Sequence, residues 1–65
     1  MIRDPGEALR WLRKAADAGQ VEATYRVGFF YENGVGVKQP DKTEAMRWYR
    51  KAADKGHAAA KATLD

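Results

Sequence analysis

The sequence predicts an all-α protein, an α-solenoid of antiparallel helix hairpins with about one and a half repeats. Three observations carry that prediction. Residues Asp4–Ala23 align with Asp41–Ala60 at an offset of 37 residues, and most aligned positions are identical. A self-similar period of roughly 34–47 residues is typical of stacked helix pairs. Both copies place apolar residues at the i, i+3, i+4, i+7 spacing of a helical stripe. Both copies also open on an aspartate and close on a glycine, the residues that start and stop helices.

The first helix is expected over Asp4–Ala18. Asp4 is its N-cap, Pro5 fills the first helical position, and Glu7 completes a capping-box spacing. Ala8, Trp11, Leu12 and Ala15 form its buried stripe, and Gly19 ends it in the left-handed conformation. The second helix, Val21–Asn33, is of a different type, with Ala23, Val27, Phe30 and Tyr31 on its apolar face. Gly28 sits inside it at a cost of about 1 kcal/mol relative to alanine, which signals a close neighbour; the rings of Trp11 and Trp48 are the expected ones. Gly34 and Gly36 mark a turn in the loop Gly34–Pro40. The third helix repeats the first: Asp41 caps it, Glu44 stands three residues on, Ala45, Trp48, Tyr49 and Ala52 form the stripe, and Gly56 stops it. His57–Asp65 begins another helix of the second type, with Ala60 and Leu64 matching Ala23 and Val27. The order is therefore helix B, helix A, helix B and a partial helix A, within one module spanning residues 1–65.

These residues resemble a known family. The run Ala23, Val27-Gly28, Tyr31, Gly34, Gly36-Val37, Asp41, Ala45, Trp48-Tyr49, Lys51-Ala52-Ala53, Gly56, Ala60 is similar to the Sel-one-like repeat, a relative of the tetratricopeptide repeats. The resemblance implies an α-solenoid scaffold that holds proteins together as an adaptor.

Composition narrows the chemistry. Cysteine is absent, which removes disulfides, thiolate nucleophiles and sulfur ligands to zinc. One histidine, His57, is too few for an ordinary zinc site, and it reads as a surface residue at a helix junction. Serine is absent too. Thr24, Thr43 and Thr63 have no base near them in sequence, and the carboxylates stand at caps and on charged faces. Gly34-Val35-Gly36-Val37 lacks the preceding strand and third glycine of a dinucleotide loop. No catalytic residue, cofactor or metal is assigned, and the chain is expected not to be an enzyme. It shows no signal-peptide pattern and no apolar run long enough to span a membrane, so a cytoplasmic location is expected and a membrane partner is not.

Two functional readings follow. In the first, the chain binds protein partners. Tyr25 and Phe29 lie off the main stripe of their helix, and Trp11 and Leu12 have no preceding A helix to cover them; these four are the candidate partner-facing residues. Ends that keep the repeat's apolar pattern imply either self-association, expected as a homodimer, or a fragment of a longer array. In the second, the net charge of +3 and the basic triplets Arg10, Arg13, Lys14 and Arg47, Arg50, Lys51 contact nucleic-acid phosphates. Interleaved acids such as Glu7, Asp17, Glu44 and Asp54 stand three or four residues from these bases, where helical side chains meet. The triplets are therefore expected to be internally paired, which disfavours nucleic acid as a partner.

Overall fold

The computed structural model describes residues 4–64. Among them are four helices and no strand: α1 (Pro5–Asp17), α2 (Val21–Asn33), α3 (Lys42–Asp54) and α4 (Ala58–Leu64). Each helix packs on the next along the chain. Asp65, where the expected last helix ended, lies outside the described residues.

Local chemistry explains where α1 and α3 start. The Asp4 carboxylate accepts the Gly6 N–H at 2.8 Å, and that of Asp41 accepts the Glu44 N–H at 3.0 Å. These satisfy helix-end donors that have no intrahelical acceptor. Only this half of the expected capping box forms at Asp41, because Tyr31 already takes the Asp41 N–H at 2.8 Å. Glu44 turns instead to the Trp48 indole N–H, at 3.1 Å.

The helix ends repeat as faithfully as the sequence. After α1, Gly19 N–H donates to Ala16 and Gln20 N–H to Ala15; after α3, Gly56 N–H donates to Ala53 and His57 N–H to Ala52. This pair of bonds is the Schellman closure. It reverses the chain within the short connections Ala18–Gln20 and Lys55–His57. The loop after α2 is longer and folds back over α1. Gly36, at φ 76°, lies so close to Pro5 that a Cβ there would stand 2.6 Å from the Pro5 carbonyl oxygen. Val37 is thereby carried onto the core.

The core has two parts. Leu9, Ala16, Ala23, Val27 and Trp48 join α1, α2 and α3, with Leu12, Ala15, Phe30 and Tyr31 half-buried around them. Ala45, Tyr49, Ala52 and Ala60 join α3 to α4, with Val21 and Tyr25 of α2 against them. Ala8 and Gly28 are buried as well.

Two expectations are corrected. Trp11 is not in the core; it is 63% exposed, whereas Trp48 is 8% exposed. The buried face of α1 is turned toward Leu9 and Ala16, because α1 packs on α2 and no described helix lies on its other side. The second correction concerns Gly28. Its neighbour is Tyr49, not a tryptophan: a Cβ on Gly28 would stand 2.7 Å from the Tyr49 ring and 3.1 Å from the Ala45 carbonyl oxygen.

Two stability outcomes are expected. Trp48→Ala removes a buried ring and costs about 3–5 kcal/mol, whereas Trp11→Ala, at an exposed site, stays within about 0.5 kcal/mol. Thermal melts followed by circular dichroism would separate the two; equal losses would contradict this burial pattern. Gly28→Leu should lower the melting temperature despite leucine's better helix propensity, because the added side chain displaces Tyr49. A rise in melting temperature would show that the helices separate here at no cost.

Candidate partner-binding surface

The outer face of α1 carries the largest exposed hydrophobic side chain. Trp11 has the Lys14 ammonium 5.1 Å from its ring centroid, within cation–π range. Glu7 and Arg10 complete a shallow concavity of about 130 Å³ beside the ring. The same arrangement recurs one repeat later, where Lys51 stands 4.5 Å from the Trp48 ring. There the indole is buried and its N–H is held by Glu44. The α1 face thus repeats the lysine–tryptophan pair of an internal contact surface, with its own ring in solvent.

The other candidate partner-facing residues are divided. Phe29 is 48% exposed on α2. Leu12 is half-buried against the first core cluster. Tyr25 is half-buried and engaged within the fold: its ring stacks on His57 at 4.5 Å, 18° from parallel, and lies 5.3 Å from the Tyr49 ring.

His57 is more than a surface residue at a junction. Its Nδ1 accepts the Ala60 N–H at 3.1 Å and so caps α4, while Nε2 lies 2.8 Å from the Glu22 carboxylate. A ring nitrogen that accepts carries no proton, so Nε2 holds the proton and donates it to Glu22. This bond from His57, helped by Arg26, lowers the pKa of Glu22 below its ordinary 4.5. The sequence offered one signal for it: His57 follows the helix-stopping glycine, where an N-cap is needed.

Tyr49 makes the second cross-helix polar bond, donating to Glu32 at 2.6 Å. Burial first, then this bond and the nearby negative charge, push its hydroxyl well above the ordinary 10.0.

The basic triplets depart from expectation. Among the described residues, Arg47 alone of the six forms an ion pair, with Glu44 at 3.6 Å. Lys14 and Lys51 lie over tryptophan rings instead. Of the interleaved acids, Glu44 serves both Arg47 and the Trp48 indole, while Glu7, Asp17 and Asp54 form no ion pair among the described residues. No group of three or more His, Cys, Asp or Glu among the described residues could hold a metal ion. No helix there is long and apolar enough to cross a membrane.

With the repeated helix pair and its tryptophan faces established, comparison with known proteins decides the family. The Sel1 repeat model matches residues 1–20 and 21–57. The chain belongs to the Sel1 repeat family. A crystal structure of a Sel1 repeat protein from Oxalobacter formigenes superposes with a TM-score of 0.87 at 39% sequence identity, over 94% of this chain and 24% of that one. This chain therefore spans about a quarter of that relative. No curated protein matches significantly. Sel1 repeats are generally protein-interaction modules on a scaffold fold that is generally non-catalytic. The match supports an all-α helical repeat fold.

A pH outcome follows from Tyr49. A hydroxyl whose pKa is raised on folding contributes stability that is complete below the unfolded value, 10.0, and is lost as pH rises toward the folded value. The melting temperature should therefore fall above pH 10.0, and Tyr49→Phe should flatten that fall. Parallel alkaline melts of both chains check this; identical slopes would mean that the Tyr49 hydroxyl does not sense folding.

Proposed function

We propose that this chain is a non-catalytic protein-interaction module, one unit over residues 1–65, that engages its partner through the Trp11 face of α1. One observation carries the reading: Trp11 is 63% exposed while its repeat equivalent Trp48 is 8% exposed. An exposed indole costs free energy in water and gains it on docking, and tryptophan is enriched among the few residues that dominate binding energy. Phe29, on the neighbouring helix, adds a second exposed aromatic. The basic residues around Trp11 favour a partner with acidic groups at the rim of the contact.

The bases Arg10, Arg13, Lys14, Arg50 and Lys51, which form no ion pair among the described residues, keep nucleic acid as the competing reading. Both are tested together. The wild-type chain and Trp11→Asp are used to capture proteins, and each captured candidate is purified and rebound alone. A direct complex made by the wild type and lost in Trp11→Asp is expected. Binding to random duplex DNA at physiological salt should be no tighter than about 10⁻⁴ M. A micromolar DNA complex with a steep salt slope, unchanged by Trp11→Asp, would overturn the protein-interaction reading.

A further inference from the structure

We propose that His57 is a proton-operated catch on α4: on taking up a proton it releases the first turn of α4 and tightens its hold on α2.

The two ring nitrogens serve different helices. Nδ1 accepts the Ala60 N–H of α4 at 3.1 Å, and Nε2 lies 2.8 Å from the Glu22 carboxylate of α2. The two bonds ask for different protonation states. An accepting nitrogen needs a free lone pair, so the Ala60 bond exists only with a neutral imidazole. The Glu22 bond exists with either form and is stronger with the cation, because both partners are then charged. Imidazole is the side chain whose charge changes between pH 5 and 8. A proton on Nδ1 therefore breaks one bond and strengthens the other.

The surroundings of the ring set the direction of that exchange. From α2, the Glu22 carboxylate and the Tyr25 ring, stacked at 4.5 Å, both favour a cation. Glu22 stays ionised through the window, since its pKa is held below the ordinary 4.5. Arg26 holds the other Glu22 oxygen at 3.2 Å and opposes the cation. From α3, the Ala52 carbonyl takes the His57 N–H at 3.0 Å, and the Tyr49 ring lies 5.3 Å from that of Tyr25. Lys55, two residues before His57, and Lys61, one turn on along α4, are exposed cations. The N-terminus of α4 is the positive end of its dipole and repels a charged ring. The protonated ring is thus drawn to α2 and turned away from α4.

Ala60 is where the first turn of α4 reaches α3. It is fully buried, in a cluster with Ala45, Tyr49 and Ala52. Gln20, at the repeat position of His57, makes no side-chain cap bond at the start of α2. A helix of this type therefore starts without such a cap, and losing the His57 bond loosens the turn without unfolding the chain.

Hydrogen exchange at the Ala60 amide tests the proposal, read by NMR as a protection factor corrected for the intrinsic pH dependence of exchange. From pH 8 to pH 5 the wild-type factor should fall about 2- to 30-fold, the span of a lost N-cap. The fall should track titration of the His57 ring, followed by its own nitrogen shifts. His57→Asn keeps an acceptor at every pH, and its Ala60 protection should stay level. His57→Gln copies the start of α2 and should give low, level protection. Circular dichroism checks that both variants keep their helices. Glu22→Gln removes the charge that favours the cation, so its fall should come at lower pH than in the wild type. A wild-type factor that stays level from pH 8 to pH 5 overturns the proposal. So does a fall in either His57 variant, which would place the titrating group elsewhere, and so does an unshifted fall in Glu22→Gln.

Discussion

The fold depends on one close approach, that of the Tyr49 ring to the α2 backbone at Gly28. Any side chain at Gly28 would intrude on the ring, since even a Cβ would lie 2.7 Å from it. The ring is 1% exposed, and its hydroxyl reaches Glu32, one turn further along α2. Tyr49 therefore lies along α2, with its apolar edge on a glycine and its polar tip on a carboxylate. The helix-propensity cost of Gly28 is offset by burial of a large aromatic surface, worth about 25 cal/mol per Å². The consequences spread in both directions. With α2 and α3 held this close, Trp48 drops between α1 and α2, and Tyr25 is brought to the His57 ring that caps α4.

Near-identical repeat sequences meet unlike surroundings here, and that separates what a segment encodes from what its neighbours impose. The caps, the Schellman closures and the lysine–tryptophan pairs occur in both copies, because each depends on residues within a few positions of one another. Burial does not recur. α3 packs on α2 and buries Trp48 against α1 and α2; α1 packs on α2 and leaves Trp11 in solvent. Stability in such arrays is close to a sum of unit terms and nearest-neighbour interfaces.

The same distinction explains how much was legible in the sequence. Helix order, helix type and the four turn glycines follow from the 37-residue repeat and from short-range chemistry, and the structure has them where the spacing puts them. The rotation of α1 was not legible, because Leu9, Trp11, Leu12 and Ala16 offer two overlapping stripes and only the neighbour selects between them. His57 and Glu22 stand 35 residues apart, so no periodicity within a helix joins them. Tyr49 was placed in the stripe, yet its partner Gly28 was assigned to tryptophan rings; volume alone favours the larger ring, and the register of α2 against α3 decides for Tyr49.

The charged surface yields to the same reasoning and bears on what binds here. Spacing alone allows Glu7, Asp17, Glu44 and Asp54 to pair with the triplets, yet among the described residues only Glu44 does so, holding Arg47 and the Trp48 indole together. Exposed ion pairs contribute about 0–1 kcal/mol, so leaving most of the triplets without an ion pair costs little. What remains is a face of exposed cations around an exposed tryptophan. Such cations raise the encounter rate with an acidic partner, and that effect weakens as salt rises. The ring supplies what salt does not screen, because apolar burial does not depend on charge. A partner recognised by both features would associate more slowly in salt yet still require Trp11. A partner held by phosphate contacts alone would lose affinity steeply with salt and be indifferent to the ring. The arrangement of Lys14 over Trp11 favours the first behaviour, since it commits one of the cations to the aromatic surface itself.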